Sequence, residues 1–397
     1  MDRCVYWLML EMIFGFGGKR LWQIMGKTDD PEEVCRRILS WEADSLSDSE
    51  KEKARRANIG EAERLIGLAE KSGQQTVCIG DSDYPKRWQD LDDAPALAFY
   101  RGDMSIANDS TVIHTVGTRE PSGYTVSLIN VLCADLALRG FTVSCGLAEG
   151  SDTCAAETVL GREGRVLAVY PTSLDRDYPR NGSELKEKLM EKGLLISEYP
   201  PEYSGRMNFQ RRNRLAVALA SAVVITEASA DSKGLDNAVR ALETGRPVLA
   251  VPPHILYSKR YFGQRDLLRE GCVPLFDGED VVRVLTEKGT VPKGSHALPG
   301  HALKEREGQE KSGGKNTHAA VKKTPEKAAV HVSSMTVEMM DEHEKAVFTL
   351  LKERGEMTSD ELIAVGGFDI TELMPALVSL QLERVIEQTP EKRYRLI

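Results

Sequence analysis

A chain of 397 residues exceeds one ordinary hydrophobic core and predicts about two to four domains. Hydrophobic residues at 41% and charged residues at 28% describe a globular protein, and no run reaches the roughly 20 apolar residues of a membrane helix. The net charge of −9 excludes indiscriminate coating of nucleic acid, so phosphate can be bound only through a local basic patch.

The amino terminus has neither the basic start nor the small-residue cleavage site of a signal peptide. Cys4, Cys35, Cys78, Cys133, Cys145, Cys154 and Cys272 are scattered without a C-x-x-C, which points away from zinc ribbons and thioredoxin-like sites. Buried free thiols in a reducing compartment are expected, and with them a cytoplasmic protein. Residues 1–73 show apolar spacing of helical period and predict a helical domain. Within it, Phe14-Gly15-Phe16-Gly17-Gly18 sets a hydrophobe-Gly-x-Gly turn between two helices. Such a turn resembles a helix-hairpin-helix (SAM-like) element, whose backbone amides hold a DNA phosphate. A glycine turn between packed helices reads the same way, and both readings stay open.

Residues 77–286 alternate short β-branched runs (111–116, 141–145, 166–170, 194–197, 223–226, 248–251) with helical stretches (125–138, 153–160, 184–191, 214–219, 235–243). That order predicts an α/β domain: a doubly wound parallel sheet covered on both faces. Residues 287–335, rich in Gly, Lys, Glu, Ser and Pro, predict a flexible linker. It carries His296, His301, His318 and His331 at spacings that fit no metal site. Residues 336–397 read as three helices and two short strands, the order of a winged helix, with Pro375 acceptable only in a first helical turn.

In an open parallel sheet, ligands bind beyond the carboxyl ends of the strands. The first strand runs into Val116-Gly117-Thr118-Arg119, which offers a close backbone approach, a hydroxyl and a charge. The second leads into the small-residue loop Gly146-Leu147-Ala148-Glu149-Gly150-Ser151-Asp152, expected to expose backbone amides, with Asp152 as a helix cap. Ser232-Lys233-Gly234 follows a later strand at the same sheet end. Finally, residues 206–214 hold Arg206, Arg211, Arg212 and Arg214 without an acid, just before an apolar helix at 215–220. Arginine suits phosphate because its planar fork pairs bidentately. In this acidic chain that cluster is the local patch required above.

No nucleotide-enzyme fingerprint is present, neither G-x-x-x-x-G-K-[ST] nor G-x-G-x-x-G with a downstream acid. His114 lies inside an apolar strand and reads as a core histidine. No catalytic residue, metal or cofactor is expected.

Taken in order, these segments resemble the DNA-processing protein A family, also called Smf. Tyr84-Pro85 leads into the sheet, and Val116-Gly117-Thr118-Arg119 is similar to V-G-[ST]-R. Ser144 with Gly146 through Asp152 is similar to S-G-x-A-x-G-I-D, and Phe209-Gln210-Arg211-Arg212-Asn213-Arg214 to F-P-x-R-N-R. The resemblance implies a helical domain, a Rossmann-like core and a winged helix. It also implies a non-catalytic protein that binds single-stranded DNA, forms a homodimer through its core and helps load a RecA-type recombinase during natural transformation. By position, the DNA contacts would be Gly117, Thr118, Arg119, Gly146, Arg212 and Arg214; Gly150, Arg211, Ser232 and Lys233 join them from the loops above. Departures include the inserted Cys145, and Ser232-Lys233-Gly234 and Gly263-Gln264-Arg265 where glycine and asparagine are typical. These predict a crevice partly re-equipped with side chains, Lys233 and Arg265 among them.

Two other readings compete. A nucleotide-processing enzyme on a related Rossmann-like fold needs an uninterrupted glycine loop with a glutamate acting on the sugar. Here Lys233 and Asp236 interrupt that loop and Glu227 precedes it. A duplex-reading transcription regulator needs cations on its recognition helix, and residues 372–383 carry no lysine or arginine.

Overall fold

The structure, a computed structural model, describes residues 2–26, 28, 30–40, 46–109, 111–179, 182–291, 341–382, 385–389 and 393–396. From residue 292 the expected linker lies outside the described residues, and so do its four histidines. The described residues fall into two compact units.

The first unit opens with five helices: α1 (Arg3–Phe14), α2 (Lys19–Met25), α3 (Pro31–Leu39), α4 (Asp48–Arg56) and α5 (Ile59–Lys71). Asp2 caps α1 by accepting from the Cys4 N–H at 3.0 Å. Trp7, Leu8, Met9, Leu10 and Ile13 of α1 are all buried, because this helix runs between the other helices and the sheet edge. Its one interior acid, Glu11, is buried too and accepts from the Ala96 N–H at 2.7 Å.

The sheet follows as β1 (Gln75–Cys78), β2 (Leu97–Gly102), β3 (Val112–Val116), β4 (Thr142–Cys145), β5 (Arg165–Val169), β6 (Leu194–Ser197), β7 (Ala222–Ile225), β8 (Val248–Ala250) and β9 (Val273–Pro274). Their spatial order is β1-β2-β6-β5-β4-β3-β7-β8-β9. Strands β6 through β9 run parallel, while β2 and β1 add an antiparallel edge. Between them run α6 (Gly123–Leu138), α7 (Ser151–Gly161), α8 (Ser183–Lys192), α9 (Phe209–Leu219), α10 (Leu235–Glu243), α11 (Phe262–Arg269) and α12 (Gly278–Glu287). Ile113, Val143, Val166, Val223 and Val224 are fully buried, as strands covered on both faces require. The α/β fold expected from the alternating pattern is the one observed. The strand order reverses between β3 and β7, and Ile113 pairs with Val143 on one side and Ala222 on the other. A crevice opens at such a switch point.

Three expectations need correction. Helix α9 begins at Phe209, not beyond Arg214, so the arginine cluster is helical and its side chains point in different directions. The sequence hid this start because the capping residue is Asn208, whose side chain accepts from the Arg211 N–H at 3.0 Å. Cys4 and Cys78, 74 residues apart, form a disulfide between α1 and β1, while the remaining five cysteines are free. Only the packing of α1 against the sheet edge brings that pair together, so spacing carried no signal. Among the described residues no helix is long and apolar enough to cross a membrane.

The second unit contains α13 (Glu342–Arg354), β10 (Met357–Thr358), α14 (Ser359–Gly366), α15 (Ile370–Leu382), β11 (Ile386–Gln388) and β12 (Arg393–Leu396), with an antiparallel sheet ordered β10-β12-β11. Phe348, Leu351, Leu362, Leu373, Leu377 and Ile386 form its core. Pro375 lies inside α15, past the first turn, which is the third correction. A proline there removes an intrahelical hydrogen bond. Arg393 and Arg395 are engaged by Glu361, Glu356 and Glu387 at 2.7–3.0 Å.

Candidate functional site

Four segments converge where the strand order reverses and enclose a cavity of about 540 Å³. They are the carboxyl end of β3 with its loop (His114–Arg119), the loop after β4, the amino end of α9, and the turn opening α10. Of the ten residues expected at a DNA site, Gly117, Thr118, Arg119, Gly146, Arg212, Ser232 and Lys233 line this cavity. Gly150, Arg211 and Arg214 do not.

Each loop is held by its own contacts. The Thr118 N–H donates to the Ser151 hydroxyl at 3.1 Å, and the Ser151 N–H returns a bond to the Thr118 carbonyl at 3.0 Å. A Cβ on Gly117 would lie 2.4 Å from Ser151 Oγ and 2.6 Å from Thr226 Oγ1. The glycine is therefore demanded by packing as much as by any ligand. Gly150, at φ 86°, lies under the same turn, where a Cβ would meet the Arg119 carbonyl oxygen at 2.4 Å. Gly150 supports that turn from behind.

The loop after β4 departs from expectation. Its Gly146 and Ala148 amides donate to Asp152 Oδ2 at 3.0 and 3.2 Å, so they are not free for an anion. Asp152 does not cap α7; it sits inside the first turn, and Gly150 is the capping residue. Burial raises the Asp152 carboxyl above its ordinary range, against the pull of the Arg212 charge. The cavity's cationic character therefore rests on side chains.

Three cations supply it. Arg119 is exposed at the mouth, its guanidinium 5.5 Å from the Phe209 ring, and among the described residues it forms no ion pair. Lys233 is exposed and likewise without an ion pair there. Arg212 forms the inner wall: Nη1 donates to the Val169 carbonyl at 3.1 Å and Nε to Asn213 Oδ1 at 2.9 Å. Gly146 makes room for it, since a Cβ there would lie 2.1 Å from Arg212 Nη1. Arg265, the other expected replacement, is spent elsewhere, stacked 3.9 Å from the Phe262 ring centre and paired with Asp266.

The floor carries His114 and Asn237, neither of which was expected at a site. His114 is buried with Nδ1 3.2 Å from the Ser144 hydroxyl, as a core histidine should be, yet it also lines the cavity. Burial first, then the Arg212 charge, holds its imidazole down to about 3. Asn237 lies in the first turn of α10, where its side chain donates to the Gly234 carbonyl at 3.0 Å.

Arg211 and Arg214 point away from the cavity. Arg211 donates to the Phe16 carbonyl in the glycine turn between α1 and α2. Arg214 is buried and donates to Glu198 Oε2 at 2.5 Å, with Asp93 3.3 Å from its Nε. A Cβ on Gly17 would strike that pair, 2.1 Å from Arg214 Nη2. Phe16 packs against Tyr199 and Tyr203, with ring centres 5.7 and 5.6 Å away. The turn is thus packed against the Arg214–Glu198 pair and two tyrosines, beside the acids Glu11 and Asp93.

Glu227, the acid an enzyme reading needs, is buried and paired with Arg260 at 2.9 Å. It does not line the cavity.

Comparison with known proteins adds an independent line. The profile of a family described as DNA recombination-mediator protein A matches residues 75–286. The DNA processing protein DprA of Bacillus subtilis is 30% identical over 226 residues, covering 57% of this chain and 76% of the relative. That of Streptococcus pneumoniae is 34% identical over 205 residues, covering 51% and 72%. The X-ray structure of the Streptococcus pneumoniae protein superposes with a TM-score of 0.62 at 26% identity, covering 71% of this chain and 98% of that one.

Proposed function

The chain belongs to the DNA recombination-mediator protein A family, and from that premise we propose that its crevice binds single-stranded DNA. The observation that carries this is the convergence of Arg119, Arg212 and Lys233 on one cavity in a chain of net charge −9. Arg119 and Lys233 have no ion pair among the described residues, so a phosphate displaces no carboxylate from either of them. Phe209 beside Arg119 offers a face on which a base can stack. The arrangement can follow a flexible backbone without presenting a row of side chains to base edges.

The wider role is that of a non-catalytic mediator, which protects incoming DNA and helps load a RecA-type recombinase during natural transformation, as a homodimer. The cavity's chemistry supports the non-catalytic part. His114 at about 3 is too weak a base for neutral pH, and Asp152 Oδ2 is held by two backbone amides. The division of labour proposed is a helical domain at 1–73, the DNA-binding domain at 77–286, a linker at 287–335 and a winged helix at 336–397. The last is expected to contribute little to DNA affinity, because residues 372–383 carry no lysine or arginine and Arg393 and Arg395 are already paired.

The test compares binding to single-stranded and duplex DNA of the same length and sequence. Tighter single-strand binding with little sequence preference is expected. Equal or tighter duplex binding overturns the reading.

A further inference from the structure

Arg212 and Arg214 sit two positions apart on α9, which places their side chains on nearly opposite faces of the helix. Arg212 looks into the crevice; Arg214 is buried against Glu198 at 2.5 Å on the other side. We propose that Arg214 is a positioning residue: its buried ion pair with Glu198, closed over by the α1–α2 glycine turn, sets where Arg212 meets bound DNA.

The pair carries more charge than packing requires. Glu11 Oε2, Glu198 Oε1, and Arg214 Nε and Nη1 are buried without a hydrogen-bond partner. Asp93 stands 3.3 Å from Nε without completing a bond. Burying such a cluster is costly, and apolar side chains of the same volume usually serve stability as well or better. What charge supplies that a leucine cannot is direction. Glu198 directly follows β6, whose strand is hydrogen-bonded to β5, so the anchor for Arg214 is fixed to the sheet. Arg211 adds a second tie on the same helix, to the Phe16 carbonyl. The amino end of α9 is thus held from behind at two points.

On the crevice side the tolerance is small. Arg212 is fitted between the Val169 carbonyl and Gly146, where no Cβ could be accommodated. Only its Nη2 lacks a partner among the described residues, so a small rotation of α9 would misdirect the remaining donors. Side chains that bind through a few directed contacts need this kind of support from the residues behind them.

The proposal rests on the crevice being the DNA site, and a double-mutant cycle separates the two claims. Single-stranded DNA affinity and its salt dependence are measured for Arg212→Ala, for Arg214→Lys and Glu198→Gln, and for each of the latter combined with Arg212→Ala. All are read well below their unfolding temperatures. The milder pair of substitutions guards against a variant that does not fold. Expected is a loss of about three- to tenfold from Arg214→Lys or Glu198→Gln alone, and no further loss once Arg212 is Ala. Equal losses in both backgrounds overturn the proposal. If they come with a further fall of about 0.7 in the salt slope, Arg214 is itself a phosphate ligand. Unchanged affinity with a lowered unfolding temperature also overturns it, leaving only a structural clamp. An Arg212→Ala variant with wild-type affinity and slope overturns the crevice reading, and the positioning role with it.

Discussion

One helix, α9, supplies an arginine to each of two unlike places. At the crevice, Arg212 shares a cavity with Arg119 and Lys233, and the carboxylate there, Asp152, accepts the Gly146 and Ala148 amides on its Oδ2. Behind the helix, Arg214 meets Glu198 and Asp93 within 3.3 Å, with buried Glu11 close by. The first region keeps cations available at the expense of electrostatic repulsion among them; the second sets its cation against the Glu198 and Asp93 carboxylates. The same residue type, two positions apart, is a candidate ligand in one region and an internal strut in the other. What decides between the roles is which carboxylates the fold brings within reach.

The sharpest way to break the comparison is to remove one carboxylate behind the helix. Glu198→Ala leaves Arg214 buried without its main partner, and truncating one member of a buried pair costs about 3–5 kcal/mol. Arg119→Ala, at an exposed and unpaired site, should change stability by no more than about 0.5 kcal/mol. Chemical unfolding of both variants measures this. Similar small losses would mean that the buried pair is not the strut described.

A smaller effect sharpens the contrast through pH. The folded His114 titrates at about 3, below the ordinary 6.5, so folding favours its neutral form. Its contribution to stability is present above 6.5 and is lost as the pH falls toward 3, because the unfolded chain takes up a proton that the folded one refuses. Glu11 has the opposite sign: burial, then the Glu198 charge, raises its carboxyl well above the ordinary value. Its contribution is present at low pH and declines as the pH rises through that raised value. In His114→Gln, the difference in stability from wild type should shrink as the pH drops from 6.5 to 3. A difference that stays constant across that window would show that His114 is not held neutral.

Much of the fold was legible because short β-branched runs and their intervening helices announce a parallel sheet. The observed β3–β8 lie within a residue or two of the expected strands. The crevice was legible in part, since it must lie beyond the strand ends, where the loops holding Thr118 and Lys233 are. What the sequence did not reveal depended on distant partners. Nothing local to Arg214 announces Glu198; the nearer case is Asp152, which reads as a helix cap yet accepts the Gly146 amide six residues back. The start of α9 was missed because Asn208, a sound helix cap, sits inside a run that reads as a basic loop. The Cys4–Cys78 bridge was missed because it depends wholly on how α1 lies against β1.

The most direct test of the crevice is the salt dependence of single-stranded DNA binding by an Arg119→Ala, Lys233→Ala double variant. Both side chains are exposed, so thermal unfolding should match wild type and folding cannot account for lost affinity. Each phosphate contact removed lowers the slope of log affinity against log salt by about 0.7, so the slope should fall by about 1.4. Affinity should drop on the order of tenfold or more per contact. A well-folded double variant with wild-type affinity and slope would contradict the account and place the DNA site outside this crevice.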